Sequence, residues 1–159
     1  MQRVIPGAVA ALIVAVCLST TAVAETKPED AIKFRHAVMQ TLAGNISAFM
    51  LIAFDKVDGG DYLQTHADAL AGAARELDIL FPAGSGEGDT HALAGIWEDT
   101  EGFAAAVAKA QQATAELSTA VAGGNRGAIM GAFADVGKAC KGCHENYRAE
   151  EDDGDSHSH

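Results

Sequence analysis

AIMGAFADVGKACKGCHENYR, residues 128 to 148, carries two messages at once. Ile129, Phe133, Val136, Cys140, Cys143 and Tyr147 recur at three- and four-residue steps, the period of a helix that buries one face. The same face ends in two cysteines three residues apart, with His144 directly after the second. A helix advances about 100° per residue, which sets Cys140 and Cys143 about 60° apart and His144 about 40° from Cys140. Two thiols and an imidazole therefore point toward one small region near the C-terminal end of a core-facing helix.

Three kinds of chemistry use such a trio. A closed zinc site takes four ligands, and no second cysteine pair is present to complete a cysteine-rich set. A redox Cys-x-x-Cys pair sits at a helix N-terminus, where the dipole lowers the thiol pKa, and follows a strand; this pair lies at the opposite end of its helix. Covalent haem attachment uses all three groups: two thiols form thioethers to the porphyrin vinyls, and the adjacent imidazole reaches the iron. From this chain's composition the motif arises by chance about two times in a thousand. Haem c, one per chain, is the reading that leaves no residue of the motif over.

Upstream, the sequence repeats the helical period three more times and shows no strand-like alternation. The first stretch runs from Pro28 to Asp55 with the stripe Ile32, Arg35, Met39, Leu42, Ile46, Phe49 and Ala53, a possible cap at Thr26, and "KVDGGD" as its terminator. The second carries Leu63, His66, Leu70, Ala73, Leu77 and Leu80 and closes at Pro82, before the turn-rich "PAGSGEGD". A short helical turn around Ile96 and Trp97 interrupts the long connection. The third begins near Thr100, carries Phe103, Val107, Ala110, Ala113, Leu117 and Val121, and stops at "GGN", residues 123 to 125. Four helices with mostly short connections predict an all-α, antiparallel four-helix bundle holding its haem near one end.

The ends of the chain read differently. Residues 1–24 contain one charge, Arg3, then an apolar run ending in Ala22-Val23-Ala24, the pattern of a cleaved signal peptide rather than a spanning helix. Cys17 would leave with it, and the expected location is the periplasm. Residues 25–150 form the expected domain, and 151–159, charged and ending in His157 and His159, read as a disordered acidic tail. Removing Arg3 leaves ten basic against twenty-two acidic residues, a formal charge of −12 for the mature chain. Such a surface disfavours nucleic acid and anionic membranes and favours basic patches on partner proteins.

With "PEDAIKFRHAVM" near the mature N-terminus, "LFPAG" and "IWED" in the middle and "CKGCHENYR" at the end of a fourth helix, the chain resembles the cytochrome c′ family across essentially all of its mature length. That resemblance implies thioethers at Cys140 and Cys143, His144 as the axial iron ligand, Arg148 beside the proximal face, Arg35 near a haem propionate and Met39 at the distal position, possible as a sixth ligand. It also implies either a carrier of single electrons with no substrate chemistry of its own, or a five-coordinate protein that binds NO or CO. Relatives commonly pair through their first two helices, and Val38 and Leu51 lie off the first stripe, so a homodimer is expected. On an apolar stripe Arg35 has a rival reading, a stem that packs while its head reaches solvent. His36, His66 and His91 read as surface residues, Trp97 as a packing aromatic, and Tyr147 as one that packs close to the haem.

Overall fold

The computed structural model describes residues 26–150, so the expected signal at 1–24, Cys17 within it, and the tail at 151–159 lie outside the described residues. The first helix, α1, spans Pro28–Ala53. Pro28 starts it without loss, because the missing N–H belongs to a turn that has no intrahelical acceptor, and Glu29 and Asp30 face the positive end of the dipole. Thr26 is not the cap: Lys27 takes that place with no side-chain bond. A residue before proline is held extended, which puts the helix boundary at Lys27.

α1 ends as Asp55 enters positive φ, 55°, and a 3₁₀ turn, Gly60–Tyr62, leads into α2, Leu63–Ala74. This helix tightens into a second 3₁₀ segment, Arg75–Ile79, before Pro82. One helical turn, α3, Gly95–Glu98, stands where the sequence placed it. The fourth helix, α4, runs Thr100–Ala122, capped by the Asp99 carboxylate, which accepts from the Gly102 amide at 3.1 Å. Gly124, at φ 70°, reverses the chain. Asn125 then caps α5, Arg126–Tyr147, by accepting from the Ala128 amide at 2.9 Å.

α1 packs on α2, α2 on α4 and α4 on α5, an antiparallel four-helix bundle with its long connection at one end. Two clusters fill it. One holds the fully buried Phe49, Leu70 and Leu117 with Val136, and Phe49 stacks on Phe133 at 5.0 Å. Each such apolar side chain contributes about 1.5–3 kcal/mol through burial. The other, nearer the long connection, gathers Val38, Leu77, Leu80 and Val107, with Met39, Phe81 and Phe103 at its margin.

Val38 corrects the expectation of an outward-facing residue: it is 6% exposed and part of that core. It lies three residues after Arg35 and four before Leu42, so a helix of 3.6 residues per turn brings it round to the face that meets α2. Leu51 is exposed as expected, together with Phe34, Met50 and Phe54. By length and composition α1 is the one described helix able to cross a membrane. Its buried Ile32, Arg35, Val38 and Phe49 mark it as a bundle helix.

Candidate functional site

The Phe49–Phe133 stack gives a reference level for α1 and α5, which run in opposite directions. Met39 lies ten residues before Phe49 and Cys143 ten residues after Phe133, so at 1.5 Å per residue both stand about 15 Å from the stack. By the same measure Arg35 and Tyr147, fourteen residues away on either helix, stand about 21 Å from it. Apart from that stack, α1 and α5 have little close backbone approach, in contrast to the three neighbouring helix pairs. The end carrying Met39 and the Cys-x-x-Cys-His motif is therefore where a flat macrocycle can lie between two helices. Two thiols and an imidazole on the α5 side are a donor set that fits covalent haem.

Cys140 and Cys143 are half-buried, and Cys140 packs against the Phe49 cluster. Burial pushes both thiols above their ordinary pKa, and for Cys143 the neighbouring Cys140 adds to the rise. His144 is exposed by area, yet desolvation is the first cause lowering its pKa and the nearby Arg148 charge the second. Both act against the imidazolium and favour the neutral ring that a metal requires. Arg148 is thus electrostatically beside His144, and its amide donates to the His144 carbonyl at 3.1 Å, closing the helix.

Arg35 is 4% exposed, which removes the reading of a head in solvent. Nη1 donates to the Leu80 carbonyl and the Ser85 hydroxyl, both at 3.2 Å, and Nη2 to the Ser85 carbonyl at 3.0 Å and the Thr90 hydroxyl at 2.6 Å. The guanidinium also lies 4.8 Å from the centre of the Phe81 ring. Burial lowers its pKa, but arginine keeps its charge in proteins. The long connection is thus wound around a cation supplied by α1. Its Nε–H is the remaining donor for a carboxylate such as a propionate.

Aromatic edges continue the line: Phe81 meets Phe103 at 4.9 Å, and Phe103 meets Tyr147 at 5.2 Å. Tyr147 donates to the Asp99 carboxylate at 2.8 Å. This chain of contacts crosses the bundle end from α1 to α5, just beyond Met39 and His144. Met39 is half-buried and packs against the cluster of Val38, Leu77, Leu80 and Val107, as Phe81 and Phe103 do. His66 turns away from this end and pairs with Asn45 at 2.9 Å, while His91 is exposed. The Trp97 indole donates to the Phe81 carbonyl at 3.2 Å, a packing role. Among the described residues no group of three or more His, Cys, Asp and Glu offers a separate metal site.

Sequence periodicity missed Ser85, Thr90 and Asp99, which hold Arg35 and Tyr147. The available signal for them was weak: Ser85 and Thr90 flank glycines in a turn-rich stretch, and Asp99 directly precedes a helical period as a cap does.

Residues 30–148 match the Cytochrome C′ family. The chain is 32% identical to cytochrome c′ of Rhodospirillum rubrum over 84% of its own length and 92% of the relative's. Its fold is similar to cytochrome c prime from Shewanella frigidimarina, with a TM-score of 0.74 and 34% identity over 78% of this chain and 98% of that one. It is likewise similar to a nitric oxide complex of a cytochrome c prime variant from Alcaligenes xylosoxidans, with a TM-score of 0.72 and 26% identity over 78% and 98% of the two chains.

Proposed function

The chain belongs to the cytochrome c′ family, whose members carry covalently bound haem c, and on that premise we propose that it is an exported monohaem electron carrier of the periplasm. Cys140 and Cys143 would anchor one haem through thioethers, and His144 would supply an imidazole to its iron. When bound, the iron of such a group accepts and returns single electrons. Arg35 holds the covering connection in place and offers Nε–H toward a propionate, Arg148 keeps positive charge near His144, and Met39 supplies a thioether on the opposite side. The observation that carries this reading is the shared level of Met39 and Cys143 above the Phe49–Phe133 stack. A thioether ligand raises the reduction potential and suits electron transfer.

The acidic chain meets its redox partners through their basic patches, with association that slows as salt screens the attraction. A homodimer through the outer side of α1 belongs to the same proposal, with the exposed Leu51 at the contact in place of the buried Val38.

The similarity to a nitric oxide complex favours a second reading, in which Met39 only crowds an open position and NO or CO binds there. One absorption spectrum separates the two. Low-spin bands with a methionine-to-iron charge-transfer feature support the carrier. High-spin bands that change under CO support the gas binder. Met39→Ala speeds CO binding to the ferrous protein in both cases and converts low-spin to high-spin iron only in the first.

A further inference from the structure

We propose that Tyr147 and Asp99 form a latch that positions His144, so that the orientation of the axial imidazole is set by the start of α4 as well as by α5 itself. His144 lies in the last turn of α5, where carbonyls lack intrahelical donors and a helix ordinarily frays. Here that turn is tied down on two sides. The segment before α3 pairs with the chain leaving α5: Ala92 and Arg148 form an antiparallel bridge, the Leu93 amide donates to the Tyr147 carbonyl at 3.0 Å, and the Ala149 amide donates to the His91 carbonyl at 2.8 Å. The Tyr147 side chain supplies the other tie. Its ring rests edge-on against Phe103, and its hydroxyl donates to Asp99 Oδ2 at 2.8 Å.

The same carboxylate caps α4, because Oδ1 accepts from the Gly102 amide. One residue thus closes the start of α4 and holds the end of α5. Gly102 fits the approach: a Cβ there would lie 2.6 Å from the Tyr147 hydroxyl. Tyr147 is three residues after His144, close to one turn on, so a change in the tyrosine's position turns or tilts the segment that presents the imidazole. Tyr147 is a positioning residue in this account, since it acts through His144.

The proposal rests on His144 as the iron ligand, and the test keeps the two apart. Holoprotein with Tyr147→Phe retains the ring against Phe103 and loses only the hydroxyl; Asp99→Ser retains a capping oxygen for Gly102 but is too short for Tyr147. The readouts are the haem-methyl shifts in the proton NMR spectrum of the ferric protein, which follow the orientation of the axial imidazole, and hydrogen exchange of the amides at 144–148. Both variants are expected to bind haem, to change the methyl pattern in the same direction, and to exchange those amides about threefold faster, as befits an exposed hydrogen bond. A methyl pattern unchanged in both variants overturns the latch, even if melting temperatures fall. A His144→Ala variant whose haem spectrum matches that of the wild type would indict the ligand assignment instead.

Discussion

Replacing Arg35 by methionine isolates the most heavily bonded polar group at the haem end. Methionine keeps an unbranched stem beside Phe81 and removes the four donor bonds to Leu80, Ser85 and Thr90. Charge-assisted bonds contribute about 1.5–3 kcal/mol each when deleted singly, but four bonds on one head do not add. Two of the acceptors recover: the Ser85 hydroxyl still donates to the Pro82 carbonyl at 2.8 Å, and Thr90 Oγ1 still accepts from the Ala92 amide at 3.1 Å. The carbonyls of Ser85 and Leu80 do not, and these residues are 0% and 1% exposed. An unsatisfied buried acceptor costs about 1–3 kcal/mol, and relief from burying the cation offsets part of the sum. The expected loss is about 3 kcal/mol. With an unfolding entropy near 2.1 cal/mol/K per residue over residues 26–150, that lowers Tm by about 11 °C. Calorimetry of the holoprotein measures it, and Arg35→Lys, a point charge without the planar fork, should recover only part of the loss. A Tm within about 2 °C of wild type for Arg35→Met would refute the cradle as an organising element.

Gly86→Ala places a Cβ 2.7 Å from the Trp97 ring, so the indole must shift and stability falls by about 1–3 kcal/mol. Gly44→Ala, in the exposed middle of α1 with nothing within 4 Å, raises it by about 0.5–1 kcal/mol; urea unfolding of the two variants gives opposite shifts of midpoint. Asp68 accepts from the Ser118 hydroxyl at 2.6 Å and from Gln64 at 2.7 Å, which holds its folded pKa below the usual carboxylate value. The stabilisation it brings is therefore present above the unfolded pKa and is lost as pH falls through the folded one, and Ser118→Ala should flatten that acid limb in a pH series of Tm. Sedimentation should report a dimer that weakens in Leu51→Glu, and a monomer at both low and high salt would remove the α1 interface.

The helical layout was legible because burial has a period. Pro28, "GGN" and the stripe ending at Leu80 each marked an element whose limits depend on local chain chemistry. The Cys140, Cys143 and His144 trio was legible for the same reason, since its three groups lie within one helical turn. Arg35 could be singled out as an anomaly on an apolar stripe, but its partners could not be named. Ser85 and Thr90 lie fifty and fifty-five residues away in a connection with no period. The bond between Asp99 and Tyr147 spans forty-eight residues and arises only when α4 and α5 pack. Val38 escaped because a stripe drawn at fixed steps is narrower than the face a helix buries between two neighbours.

The central claim, covalent haem on α5, is tested most directly by a haem-stained denaturing gel of the protein made with a working haem-attachment system. Thioethers survive denaturation, so the pigment should migrate with the wild-type chain and be absent from the Cys140→Ala, Cys143→Ala double variant. A colourless wild-type band, or pigment that stays with the double variant, would contradict the account.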